Sequence, residues 1–151
     1  IKLGAVSLDH LETVNKEEIQ MLGLYKGCST LLPTAAFFLR MPFQPARKLI
    51  DAGAAVTLAS DFNPGSSPSG NMNLVNALSC IQMKMLPEEV INASTLNGAY
   101  AMELENELGS ITIGKAANLI FTKPIPSLAY LFYSFGSNHI DKVMLKGNWV
   151  Q

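Results

Sequence analysis

Short apolar runs that exit into polar residues, each followed by a segment of helical spacing, recur along the first sixty residues. GAVSL (4–8) leaves into Asp9 and His10, and NKEEIQMLG (15–23) follows it, with Asn15 as a helix cap and Glu17 and Glu18 in the first turn. STLLP (29–33) is the second run, stopped by Pro33; QPARKLIDAG (44–53) then reads as a helix with Pro45 near its first position and Gly53 just past its end. AVTLAS (55–60) is the third. The strand starts recur at roughly 25 residues, tighter than the 30 or so of a βαβ unit, and largely apolar strands of this kind are buried by helices on a parallel sheet. The pattern predicts three consecutive β/α units.

After residue 70 the period changes. NMNLVNALSCIQMKM (71–85) sets Leu74, Leu78, Ile81 and Met85 on one helical face, and PEEVINASTLNGAYAMEL (87–104) opens with Pro87, Glu88 and Glu89, as a helix start does. Beyond Gly109, the segments GSITIG, NLIFT, SLAYLFYSF and DKVMLKGNWV, separated by Gly, Pro and Asn, read as strands with no helix among them. The expected boundary divides the chain into 1–108 and 109–151.

Composition narrows the functional classes. The chain has 151 residues, 48% hydrophobic and 15% charged, with a net charge of −1, which suits one buried core. No clustered Lys and Arg mark a nucleic-acid or anionic-membrane partner. The apolar stretches 35–39 and 128–135 are far shorter than the roughly 20 residues of a membrane-spanning helix. Cys28 and Cys80 lack CxxC spacing and an activating His nearby, so they read as core or near-core residues of a protein in a reducing cytoplasm. The seven Met residues read as core gap-fillers. The chain opens on Ile1 with neither initiator Met nor signal peptide and reads as part of a longer protein.

The chemistry concentrates at LASDFNPGSSPSG (58–70). In parallel β/α architectures functional groups lie where the strands end, and Asp61 and His10 both sit at such ends. A carboxylate there is costly to desolvate without compensation. Asp61 is therefore either a loop cap, accepting from the N–H groups of Asn63 and Gly65, or a metal ligand or general base. His10 is either a rim histidine or a functional one. Asn71, standing where a P-loop carries Lys, weakens a phosphate-cradle reading. His139, between Asn138 and Ile140, reads as a turn residue.

VSLDHLE, then VTLASDFNPGSSPSGNMNLVNALSC, NASTLNGAYAMEL and GSITIGKAANLIF, resemble the C-terminal portion of the imidazolonepropionase family of amidohydrolases across essentially the whole chain. The resemblance implies the last three β/α units of a (β/α)8 barrel over 1–108 and the closing strands of a small composite β-sandwich over 109–151. It implies one divalent metal, zinc or iron, and hydrolysis of the ring amide of 4-imidazolone-5-propanoate to N-formimidoyl-L-glutamate in histidine degradation. Asp61 falls on the metal-ligand and proton-accepting aspartate, and His10 on the histidine that assists at the reacting centre. Asn63, Gly65 and Ser66 fall on substrate-binding positions. The family's His-x-His pair, a third histidine ligand, and an Arg and Tyr for the substrate lie upstream of residue 1, so this chain alone should not hold the metal well. Open strand edges imply association, as in a homodimer. Two alternatives stand beside this: another cyclic-amide hydrolase of the dihydroorotase or hydantoinase kind, and a non-catalytic α/β fragment.

Overall fold

The computed structural model describes residues 1 and 3–150; Lys2 and Gln151, the last residue of the expected second part, lie outside the described residues. Three parallel strands, β1 (Ser7–Asp9), β2 (Cys28–Leu31) and β3 (Ala55–Leu58), pair in the order β1-β2-β3, with Ser7 opposite Cys28 and Cys28 opposite Ala55. The first strand lies later than 4–8 and includes Asp9.

Helix α1 (Lys16–Gly23) starts as expected: Asn15 Oδ1 accepts from Glu18 N at 2.9 Å, and Glu18 Oε2 accepts from Asn15 N at 2.7 Å, a reciprocal cap. Pro33 does more than stop β2. It opens α2 (Pro33–Leu39), a helix absent from the sequence reading, because a proline with no N–H loses nothing at a first helical position. Helix α3 (Ala46–Asp51) follows, and Gly53, at φ +94°, turns the chain into β3 through a conformation that a Cβ would strain.

Helix α4 (Met72–Ile81) ends four residues short of Met85. Its buried residues include Val75, Ala77 and Leu78, while Ile81 is exposed, so the buried surface is displaced from the expected stripe: α4 packs against α2 on one side and α5 (Pro87–Ser94) on another. The expected single helix 87–104 is two, α5 and α6 (Leu96–Ala101), broken at Thr95, whose φ −123° and ψ −78° are not helical.

The segment after Gly109 departs most. GSITIG forms no strand, and SLAYLFYSF holds the helix α7 (Leu128–Tyr133), so this part does contain a helix. β4 (Leu119–Thr122), β5 (Ile140–Leu145) and β6 (Asn148–Trp149) form a separate antiparallel sheet, while α7 packs on α4 and α5. Phe132 of α7 is buried in the same core as Leu31, Leu49, Val56, Leu58, Val75 and Val90.

Strand alternation divides the parallel sheet into two faces. Leu31, Val56 and Leu58 enter the core beneath the helices, with Leu8 packed against it. The registered partners Ser7, Asp9, Thr30 and Thr57 share the other, polar face, where Ser7 Oγ donates to Asp9 Oδ1 at 2.7 Å and meets Thr30 Oγ1 at 2.6 Å. Helix α6 closes the N-terminal end of the sheet: Asn97 Nδ2 donates to Val56 O at 2.7 Å, and Tyr100 Oη donates to Lys26 O at 3.1 Å. The strand ends carrying His10 and Asp61 are at the opposite end. Among the described residues no helix is long and apolar enough to cross a membrane.

Candidate active site

Both sequence-selected residues leave their strands in left-handed backbone. The β1 ladder runs one residue past Asp9, with His10 N donating to Thr30 O at 3.0 Å; then His10 (φ 75°) and Leu11 (φ 68°) turn the chain. Beyond β3, Ala59 N donates to Leu31 O at 3.2 Å, and Asp61 follows at φ 51°. Left-handed residues with a β-carbon cost on the order of 1 kcal/mol or more each and persist where their surroundings impose them.

What imposes the turn at Asp61 is a double anchor on Ser60. Its carbonyl accepts from Thr34 Oγ1 at 2.9 Å and from the buried Ser67 Oγ at 2.6 Å, so the chain is pinned on both sides of the loop. Asn63 and Ser67 close the loop as an antiparallel bridge.

Within it, the expected backbone cap is Asn63 and not Asp61. Asn63 Oδ1 accepts from Gly65 N at 2.9 Å and Ser66 N at 2.8 Å, while Nδ2 donates to Asp61 O and to Ser66 Oγ, both at 2.7 Å. All four hydrogen-bonding positions of the amide are filled by the loop itself. The Asp61 carboxylate is thereby released from capping: Oδ2 accepts from Ser66 Oγ at 3.0 Å, and among the described residues Oδ1 has no partner. Asp61, Asn63, Gly65 and Ser66 thus form one hydrogen-bonded unit.

His10 stands at the next strand end but one, about 10 Å away by the usual strand spacing. Its side chain is 56% exposed and its Nδ1 lies 3.2 Å from Glu12 Oε1. Sequence reasoning missed Glu12, although its place two residues after His10 was a usable signal. It also missed Gln44, Thr34 and Ser67, which act across the fold and leave no local pattern.

The donor set bears on a metal. Asp61 supplies one carboxylate oxygen without a protein partner, a suitable hard donor, but among the described residues no group of three or more His, Cys, Asp or Glu could hold an ion. Cys28 and Cys80 are both free thiols. Cys28 is buried and donates its Sγ–H to Asn97 O at 3.7 Å; burial pushes the Cys80 thiol up to about 11, with the Glu88 and Glu89 carboxylates adding to the effect. Neither has the character of a nucleophile. His139 lies just before β5, its ring 5.5 Å from that of Tyr130 and its Nε2 buried without a partner among the described residues.

The sequence model of the Amidohydrolase family matches residues 5–150. The chain is 54% identical to imidazolonepropionase from Christiangramia forsetii over 99% of its own length and 38% of that protein. It is 55% identical to imidazolonepropionase from Flavobacterium johnsoniae over 97% of its length and 36% of that protein. It therefore spans less than two fifths of these relatives. Among solved structures, an adenosine deaminase from Xanthomonas campestris with bound zinc superposes with a TM-score of 0.84 at 22% identity, covering 98% of this chain and 38% of the other, a likeness that shows the fold alone. By the family match over nearly its full length, the chain belongs to the amidohydrolase family.

Proposed function

We propose that this chain is the C-terminal portion of a metal-dependent hydrolase of the imidazolonepropionase kind, acting on 4-imidazolone-5-propanoate and yielding N-formimidoyl-L-glutamate in histidine degradation. Residues 1–108 would be the last three β/α units of a (β/α)8 barrel, and 109–151 the closing strands of a composite β-sandwich. The observation that carries the reading is the Asp61 carboxylate, freed from backbone capping by Asn63 and presented at a strand end with one oxygen open.

In the complete site Asp61 would be one ligand of a divalent metal, zinc or iron, whose other ligands come from outside this chain. Such an ion, when bound, supplies Lewis-acid polarisation and acidifies water. Asp61 Oδ1 accepts the proton of the attacking water while Ser66 Oγ holds Oδ2 in place. His10 presents Nε2 as a proton relay at the opening ring amide, since Nδ1 is taken by Glu12. Gly65 and Ser66 shape the substrate side of the loop, and Asn63 organises it from within, any substrate contact of its amide being made at the expense of one loop bond. The outer edges of β1 and β3 are where the remaining barrel units would pair, and a homodimer in the cytoplasm is the expected assembly.

The test is Asp61→Asn in the complete protein. Turnover of the imidazolone should fall by more than about two orders of magnitude, with metal content also reduced. Near-normal activity and metal would remove Asp61 from both roles, and preferential turnover of dihydroorotate or hydantoin by the unaltered protein would replace the substrate.

A further inference from the structure

The reading above uses His10 but says nothing of what holds it. Its ring sits on an exposed strand end, on the first of two residues in left-handed backbone, where a free imidazole would interchange tautomers and rotamers. We propose that Glu12 is a positioning residue that fixes the tautomer and orientation of His10, and that Gln44 in turn fixes Glu12. The inference rests on the proposed part of His10 in the reaction and deepens it.

Glu12 differs from an ordinary surface partner. Its side chain is only 9% exposed although the histidine it meets is 56% exposed, so the carboxylate is the fixed member of the pair. A carboxylate accepts and cannot donate, so the contact of 3.2 Å to Nδ1 places the hydrogen on Nδ1. In the neutral ring Nε2 then carries the lone pair and is the nitrogen left for the substrate. The partner of one ring nitrogen thus selects the chemistry of the other.

Gln44 completes the argument. It lies 32 residues away in sequence, is fully buried, and donates Nε2–H to the same Oε1 atom at 2.7 Å. Its own Oε1 has no partner among the described residues. A buried amide with one end unsatisfied is destabilising, and an apolar side chain of similar size would avoid that cost. What such a side chain could not do is hold the Glu12 carboxylate under the histidine. The line from Gln44 through Glu12 to His10 therefore ties the ring to the interior of the protein through hydrogen bonds alone.

The experiment combines spectroscopy with a double-mutant cycle in the complete protein. With histidine labelled at both ring nitrogens, and the His10 signals identified by their loss in His10→Asn, the unaltered protein should show Nδ1 protonated and Nε2 unprotonated. Glu12→Gln should shift the ring toward the other tautomer. The same substitution should lower kcat about ten- to hundredfold with KM little changed, and should cost less than about twofold when His10 is already Asn. Gln44→Met should lower kcat in the same direction by a smaller factor. An Nε2-protonated His10 in the unaltered protein, or a Glu12→Gln effect of equal size with and without His10, overturns the proposal. If His10→Asn retains full turnover while Glu12→Gln still shifts the tautomer, the coupling stands and the assigned part of His10 in the reaction falls.

Discussion

Replacing Asn63 by Ala tests whether the loop that presents Asp61 is organised by one side chain. The substitution deletes four hydrogen bonds: two accepted from Gly65 N and Ser66 N, two donated to Asp61 O and Ser66 Oγ. A net bond contributes about 0.5–1.5 kcal/mol, and the one at the exposed Gly65 belongs at the low end because water replaces the lost partner. A local loss of about 2 kcal/mol follows, equivalent to roughly a thirtyfold rise in the open population of the loop. The bridge between Asn63 and Ser67 and the anchor at Ser60 use other atoms and should keep the fold intact. Amide hydrogen exchange reads the effect: Ser66 and Ser67 should exchange about an order of magnitude or more faster in the Ala variant, with α1 and α5 unchanged. Asn63→Asp separates the two halves of the network, since a carboxylate can still accept from Gly65 and Ser66 but cannot donate to Ser66 or Asp61. It should retain most of the exchange protection and yet lose kcat, because Ser66 no longer has its orienting donor. Unaltered exchange in the Ala variant would refute the idea that Asn63 builds the loop.

Other consequences follow from the same geometry. Arg47 holds Glu89 through two parallel bonds of 2.9 Å, with side chains 31% and 25% exposed, and this hydrogen-bonded pairing keeps the Glu89 carboxyl below its usual value. Because the folded value is the lower one, the contribution is complete above the unfolded value near about 4.3 and is lost as pH falls through the folded one. Glu89→Gln should therefore cost about 1 kcal/mol at neutral pH, a penalty that shrinks below roughly pH 4; a penalty constant to about pH 3 in denaturant titrations would contradict the pairing. Cys80, with its thiol raised to about 11, should react with iodoacetamide at pH 8 some two orders of magnitude more slowly than an exposed cysteine, and labelling at the exposed rate, read by peptide mass spectrometry, would show that it is not shielded.

The parts of the fold legible in the sequence are those set by neighbouring residues. Asn15 with Glu18, Gly53 after α3, and the polar exit of β3 are local signals, and each has the place the pattern assigned, whereas β1 runs on through Asp9 before it turns at His10. What failed was decided at a distance. SLAYLFYSF has the aromatic content of a strand, yet Ser127 caps Tyr130 and Phe132 gains burial against α4 and α5, so tertiary packing sets the helix. Pro33 is equally compatible with ending one element and opening the next, and the burial of Pro33, Thr34, Ala35 and Ala36 settles it as a helix start. The sequence leaves Asp61 open between loop cap and metal ligand or base, and Asn63 has the cap; Asx turns are favoured by both residue types and only geometry distinguishes them.

That exchange of roles between Asp61 and Asn63 has a functional logic. A carboxylate that accepted both loop N–H groups would be well solvated by the protein and a poor proton acceptor, since hydrogen bonds stabilise its charged form. An amide can perform the capping without charge, and it adds two donors that a carboxylate lacks. With Asn63 capping, Asp61 needs only Ser66 for orientation and leaves an oxygen available for a proton or a cation. The same division recurs at β1, where Glu12 takes His10 Nδ1 and Gln44 in turn takes Glu12, which leaves Nε2 for the proposed reaction. At each strand end the group proposed to react is held by one contact, and the residues that hold it are in turn tied to the protein by backbone or buried partners. The helix-facing side of the sheet supplies the burial, with Leu31, Leu49, Val75 and Val90 fully enclosed. The strained φ at His10, Leu11 and Asp61 can therefore be sustained at the rim without drawing on the side-chain groups proposed to react.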